Sequence, residues 1–170
     1  QPNKNGLTPL LTAIHHQQTD IALELLKQND IGPSINRPDN NGFTPLNDAI
    51  ETNQTDIALE LIEQPSISES INKPNKHGLT PLLHAIEKKQ RDIALKLIKH
   101  PSISAQSINQ HDKDIGISPL LLAIETNQTD IALKLLEHES ISKSINQPNK
   151  HGLTPLFVAI GSGKTEVALK

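Results

Sequence analysis

The 170-residue chain has no Cys, no Met, no Trp and no Tyr, and only two Phe. Without thiols it forms no disulfide, no thiolate nucleophile and no cysteine-held zinc or iron–sulfur centre. Their absence also fits a reducing compartment. The near-lack of aromatic rings removes the platforms on which single-stranded bases stack. The balance of 16 Lys+Arg against 19 Asp+Glu, net −3, gives no general pull on a phosphate backbone. Nucleic acid is therefore not an expected partner. No apolar run approaches the roughly 20 residues of a bilayer-crossing helix, and no basic-then-apolar leader opens the chain. A membrane is not an expected partner either. The lack of Met marks Gln1 as other than a natural start, and the chain is expected to be a piece of a longer protein.

What is present is a phrase repeated at a fixed period. Gly6, Gly42, Gly78, Gly116 and Gly152 each introduce Leu-Thr-Pro-Leu or a close variant: Leu7 to Leu10, Phe43 to Leu46, Leu79 to Leu82, Ile117 to Leu120 and Leu153 to Leu156. The intervals are 36, 36, 38 and 36 residues. Such a period predicts a solenoid, in which each unit buries its apolar face against a neighbour. The chain then needs few large aromatic residues.

Each unit parses by helix start and stop chemistry. Thr or Ser before Pro is an N-cap followed by a residue whose missing N–H would have had no partner. In the first unit this predicts a helix over about Pro9 to His16, with Leu10, Ala13 and Ile14 on one face. After a polar break at Gln17-Gln18, a second helix is predicted over about Thr19 to Lys27. Asp20 complements its dipole, and Ile21, Ala22, Leu25 and Leu26 form its apolar stripe. Ala13, Ala49, Ala85, Ala123 and Ala159 mark close helix approach. Pro65 and Pro101 end second helices. The Ile-Ser-x-Ser-Ile-Asn run from Ile67 to Asn72 spaces its isoleucines for one extra helical turn. Asn5-Gly6 and Asn41-Gly42 are turn dipeptides, and the polar segments around them read as hairpin-like fingers.

These residues together, Gly-x-Thr-Pro-Leu-x-x-Ala, then Asp-Ile-Ala-Leu-x-Leu-Leu, then Ile-Asn, resemble the ankyrin repeat and its T-P-L-H-x-A signature. The resemblance covers essentially the whole chain as one domain. Its units are about 1–36, 37–72, 73–109, 110–146 and a truncated 147–170. It implies an all-α solenoid, a curved stack of helix–turn–helix units with β-turn fingers, that binds other proteins along its concave face. There are departures. The His after Thr-Pro-Leu is replaced by Leu11, Asn47, Leu83, Leu121 and Phe157. The interhelix Gly remains only as Gly163, and the longer unit places its surplus in the Pro-Ser-Ile-Ser loop. A second period lies above the first. Residues 51–59 are identical to 125–133, and 74–82 to 148–156, both at an offset of 74. The duplicated unit was a repeat pair.

Candidate chemistry is sparse. Gly161-Ser162-Gly163-Lys164-Thr165 is similar to a phosphate loop, but Val158 stands where that motif needs Gly, and the stretch aligns with interhelix turns of other units. His15 and His16 are adjacent and diverge on a helix. His77 and His151 lie two layers apart, about 20 Å at roughly 10 Å per layer. No metal, cofactor or small-molecule ligand is expected. Glu51, Glu87 and Glu125 fall on separate layers open to water, where no raised carboxylate pKa is expected. The domain is read as non-enzymatic. Asn53-Gln54-Thr55 and Asn127-Gln128-Thr129 fit a glycosylation pattern but are read as turns.

The family resemblance implies partner contacts from finger tips and first-helix ends. The fingers offer Lys4, Asn5, Asn40, Asn41, Lys76, His77, Lys113, Ile115, Lys150 and His151. An apolar rail follows each Gly: Leu7, Phe43, Leu79, Ile117 and Leu153, with Phe43 the one exposed aromatic candidate. The helix ends offer His15, His16, Glu51, Thr52, Glu87, Lys88, Glu125 and Thr126. The expected partner is another protein, met by an acidic centre, a basic lip and the rail between them. Two other roles stay open: a structural spacer with little specific binding, or the substrate-recruiting arm of a larger enzyme. With no capping repeat in evidence, Ile160, Val167 and Leu169 are expected to be partly bare. The richness in Ile, Asn, Lys and Gln is similar to ankyrin proteins that intracellular bacteria deliver as effectors. A cytoplasmic location follows as an expectation, in the host cytosol for an effector.

Overall fold

The computed structural model describes residues 2–170. Five layers follow one another in it. Layer one holds α1 (Pro9–His15), α2 (Thr19–Leu26) and α3 (Gly32–Asn36). Layer two holds α4 (Pro45–Glu51), α5 (Thr55–Glu63) and a 3-10 turn over Pro65–Glu69. Layer three holds α6 (Pro81–Glu87), α7 (Arg91–Lys99) and α8 (Ala105–Asn109). Layer four holds α9 (Pro119–Glu125), α10 (Thr129–Leu136) and a 3-10 turn at Ile141–Lys143. Layer five holds α11 (Pro155–Gly161) and α12 (Thr165–Ala168). The described residues include no strand, so the fingers are turns closed by backbone bonds, not hairpins of paired strands. Substantial packing joins α1, α4, α6, α9 and α11 in one row and α2, α5, α7, α10 and α12 in a second. The architecture is an all-α repeat solenoid.

Local chemistry sets the layer. The N–H groups of Leu11, Asn47, Leu83, Leu121 and Phe157 donate to the capping hydroxyls of Thr8, Thr44, Thr80, Ser118 and Thr154 at 3.2–3.3 Å. Each cap is worth about 1 kcal/mol. The chain then reverses through one left-handed residue: Gln17 (φ 55°), Asn53 (59°), Lys89 (56°), Asn127 (63°) and Gly163 (68°). The phosphate-loop lookalike is therefore the ordinary interhelix turn of layer five.

The layers are fastened by burial and by two ladders of amides. Leu46, Leu82, Leu120, Ile50 and Ile86 have no exposed surface, and Ala49, Ala85 and Ala123 let the helices approach. Burying one such Leu or Ile stabilises by about 1.5–3 kcal/mol. Near one rim, Gln54, Gln90 and Gln128 reach back one layer. Their amide nitrogens donate to the carbonyls of Ile14 (2.7 Å), Ile50 (2.8 Å) and Ile86 (2.8 Å). Each Gln is the N-cap of a second helix, yet its side chain caps nothing there. Near the other rim the direction reverses. Asn36, Asn72 and Asn109 donate forward to the carbonyls of Ser66 (2.8 Å), Ser102 (2.7 Å) and Ser140 (2.7 Å). The enlarged Ser-Ile-Ser loop thus carries its own interlayer contact.

The end layers show what stacking hides. Ile57, Ile93 and Ile131 are fully buried, whereas their counterpart Ile21 in layer one is 52% exposed. In layer five Leu156, Phe157 and Ile160 are exposed, although their counterparts are core residues, and Leu169 is 83% exposed. Val167 does not share this fate. It is 7% exposed, because its side chain turns back onto layer four, as Ile131 turns back onto layer three.

Candidate partner-binding surface

The fingers are built by a residue type the sequence reading passed over. Asn3, Asp39, Asn75, Asp112 and Asn149 each stand at the base of a finger, and the side-chain oxygen accepts two or more N–H groups across the turn. Asn75 Oδ1, for example, accepts from His77 (2.9 Å) and Leu79 (3.1 Å), while the Asn75 N–H donates to the Leu79 carbonyl at 3.0 Å. An Asx residue three or four places before each Gly was the available signal. Gly78 sits at φ +83°, and a Cβ there would stand 2.8 Å from Lys113 Cγ. The finger tips therefore nest, each against the next.

The apolar rail is largely covered by the protein itself. Leu7, Phe43, Leu79 and Leu153 are half-buried and Ile117 is buried. Phe43 is not an exposed aromatic: its ring packs edge-on against His84 at a centroid distance of 6.3 Å. Phe157, two-thirds exposed, holds the exposed position instead. Ile115 remains exposed on the fourth finger. Lys4, Asn5, Asn41, Lys76, His77, Lys150 and His151 are exposed.

Among the helix-end residues, Glu51, Glu87 and Glu125 do not form a uniform acidic centre. Glu51 Oε1 accepts from Lys88 Nζ (2.9 Å), and Oε2 lies 2.8 Å from His84 Nε2. The Lys88 hydrogen bond, with help from His84, holds the Glu51 carboxyl below its ordinary range against its partial desolvation. Glu87 is exposed, and no ion pair engages it among the described residues. Glu125 is also exposed at its tip, but partial burial pushes its pKa up, with His151 opposing. The expectation that nothing would desolvate these carboxylates and raise a pKa fails at Glu125, where partial burial outweighs the opposing charge of His151. Thr52 and Thr126 are half-buried and turned inward: their hydroxyls donate to the carbonyls of Asp48 (2.7 Å) and Leu122 (2.6 Å). His15 and His16 are exposed, with rings nearly perpendicular and 5.5 Å apart.

Two buried titratable groups on this face escaped the sequence reading. Asp48 lies 3.5 Å from His15, and burial raises its pKa with His15 opposing. His84 is almost fully buried, and desolvation lowers its pKa against the pull of Glu51. Both stand immediately before a core Ala, where later layers carry Leu122 and Val158. A polar residue at that place, one layer from an oppositely charged helix end, was the signal. The face thus changes character along the stack: paired and titratable over layers one to three, apolar toward Leu122, Val158 and Phe157. Among the described residues no three His, Asp or Glu side chains converge as a metal site would require. Concavities are open: an apolar cleft of about 150 Å³ beside Ile124, Leu136, Ile145 and Val167, and a wider polar groove of about 480 Å³ beside Gln64, Lys99 and His100. No helix of the described residues is long and apolar enough to cross a membrane.

A family model described as ankyrin repeats in three copies matches residues 1–73 and 103–169. The stretch between them carries the same capped helix pair, α6 and α7. No curated protein gives a match.

Proposed function

The chain belongs to the ankyrin-repeat family, and from that premise we propose that it is a protein-recognition module. Its partner lies along the exposed side of the first helices and the adjoining finger tips, a face that is concave in this family. Ankyrin repeats are generic protein–protein interaction modules. The observation that carries the finer reading is a division of labour within each layer. Leu, Ala, Ile and the amide ladders are consumed by stacking, whereas His16, Glu87, Glu125, Phe157 and the finger side chains His77 and His151 stay exposed. The proposal assigns the domain no reaction of its own. It works in a reducing cytosol, that of a host cell for a delivered bacterial effector.

The competing reading is a spacer. The absence of Trp and Tyr and the half-burial of Phe43 favour it, since binding hot spots are rich in aromatic anchors. The two are separated by affinity capture with the native domain and with Glu87→Lys/Glu125→Lys/Phe157→Ser, compared by quantitative mass spectrometry. A recognition module loses specific proteins in the variant. Identical capture sets refute the first-helix face.

A further inference from the structure

Among the described residues five Lys and Arg side chains stand in ion pairs; the four finger lysines do not, nor do Arg37, Lys73, Lys89, Lys99, Lys143, Lys164 and Lys170. Lys27, Lys88, Arg91, Lys96 and Lys134, on helices or at their ends, meet Glu24, Glu51, Asp130, Glu63 and Glu137. The four finger lysines, Lys4, Lys76, Lys113 and Lys150, have no carboxylate partner among the described residues, and all are exposed. Three of them are nonetheless held in place. Lys76 Nζ donates to Asn41 Oδ1 (2.8 Å), Lys113 Nζ to the Lys76 carbonyl (3.0 Å), and Lys150 Nζ to the carbonyls of Lys113 and Asp114 (both 2.7 Å). Each ammonium bridges to the preceding finger through neutral acceptors.

That arrangement leaves charge and donors unspent. An ammonium has three donors, so Lys76 and Lys113 keep two each and Lys150 keeps one. Nearby carboxylates offset part of that charge: Asp112 and Asp114 stand against Lys76, Lys113 and Lys150, which leaves +1 over these residues of the last three fingers. Asp39 and Asp112 are turned into their own fingers, where their oxygens accept N–H groups at 2.7–3.2 Å. Asp114 alone is free and exposed on these tips, and His77 and His151 lie beside the row. The edge is basic although the whole chain carries net −3. Ordering these side chains beforehand also removes part of the entropy cost of binding.

Resting on the reading of this chain as a recognition module, we propose that the finger edge from Lys76 through Lys113 to Lys150 binds an extended acidic segment of the partner protein. Layers stack at roughly 10 Å, and an extended polyproline-II segment has three residues per turn and advances about 3.1 Å per residue, which keeps every third side chain on one face. A carboxylate on every third residue therefore meets successive ammoniums. The second finger carries Asn40 where Lys would stand, its amide donating to the Lys4 carbonyl, so the continuous row covers the last three fingers only.

The test uses labelled peptides and fluorescence anisotropy on the whole 170-residue chain. One peptide places Glu at every third residue among Ser and Gly. A second has the same composition with its Glu residues clustered, and a third has Gln for Glu. The spaced peptide is expected to bind tightest. Its affinity should fall at least tenfold in Lys76→Glu/Lys113→Glu/Lys150→Glu. It should also fall as salt is raised from about 0.1 M to about 1 M, where the Debye length shrinks from about 10 Å to about 3 Å. A Gln variant of the same three lysines separates lost charge from lost fold, and circular dichroism confirms that both variants retain their helices. Equal binding of the three peptides overturns the proposal, as does indifference to charge reversal. Tighter binding of a single-stranded oligonucleotide or of phosphatidylserine vesicles would also overturn it, by assigning the edge to another class of ligand. If peptide binding fails while Glu87→Lys/Glu125→Lys/Phe157→Ser still loses partners, this inference falls alone.

Discussion

The glutamine ladder supplies a controlled experiment already written into the repeat. Gln90 is buried between layers two and three, and its amide nitrogen donates to the Ile50 carbonyl at 2.8 Å and to Asn53 Oδ1 at 2.9 Å. Two such bonds contribute about 1 kcal/mol each, and the buried Oε1, which finds no protein partner, offsets about 1 kcal/mol. Truncation to Ala adds the lost packing of a buried side chain, so Gln90→Ala should destabilise by about 1–2 kcal/mol. Gln54→Ala and Gln128→Ala should behave alike, because each amide reaches the Ile carbonyl of the preceding layer and a neighbouring Thr hydroxyl. Gln18 occupies the same place in layer one, is exposed, and has no layer before it. Gln18→Ala should change stability by less than about 0.5 kcal/mol. All four residues are N-caps without a side-chain cap bond, so any helix-start effect cancels in the comparison. Urea denaturation followed by far-ultraviolet circular dichroism measures the midpoints. Thermal midpoints should drop by about 2–4 °C per kcal/mol. Equal effects at Gln18 and Gln90 would refute an interlayer role and leave only local helix propensity.

Two other outcomes follow from backbone strain and buried charge. Lys89 and Gln17 hold the left-handed turn without being Gly. Such a conformation costs an L-residue about 1–2 kcal/mol, of which a Gly returns part through unfolded-chain entropy. Lys89→Gly and Gln17→Gly should each stabilise by about 0.5–1 kcal/mol in urea melts, more than Asn53→Gly or Asn127→Gly, and a loss at Lys89 would contradict the assignment. Burial keeps the His84 pKa below that of the unfolded chain. The unfolded state therefore takes up the proton first as pH falls, and the stability held above the ordinary His value is lost below it. His84→Leu, the residue type of Leu122 at that place, should flatten the fall in urea midpoint between about pH 7.5 and 5.5. His111, which burial lowers in the same sense, should contribute to the slope that remains, and identical slopes in both proteins would refute the burial argument.

The sequence carried the layer but not the joints between layers. Thr-Pro caps, the alanines and the apolar stripes placed the helices within a residue: α1 ends at His15 against an expected His16, and α2 at Leu26 against Lys27. An extra turn does follow the second helix, displaced from the expected Ile67–Asn72 run: it is 3-10 at Pro65–Glu69, and it is α-helical at Ala105–Asn109, where Ile103 and Ile108 are five residues apart. These features depend on neighbours a few residues away. What stayed hidden depends on partners 30 to 42 residues away: Gln90 reaching Ile50, Asn72 reaching Ser102, and Glu51 closing on His84 and Lys88. A period says that two residues occupy the same place in successive layers. It does not say which side chains the next layer covers. Hence Phe43 read as a free aromatic and Glu51 as a free anion, and hence Glu125 read as fully hydrated.

Substantial helix packing here joins only adjoining layers, and the stretch that opens layer three recurs letter for letter at the start of layer five. Unequal crossing-over between the two copies would excise residues 74–147 and set the fifth layer directly upon the second. The new junction would keep the finger, cap and apolar positions of the existing boundaries, but not the contacts of Glu51 with His84 and Lys88 or the Gln90 bond to Ile50, since Val158, Ser162 and Lys164 stand in those places. Length is therefore a quantity that inheritance can adjust in steps of two layers, keeping the frame of the junction and losing those side-chain bonds.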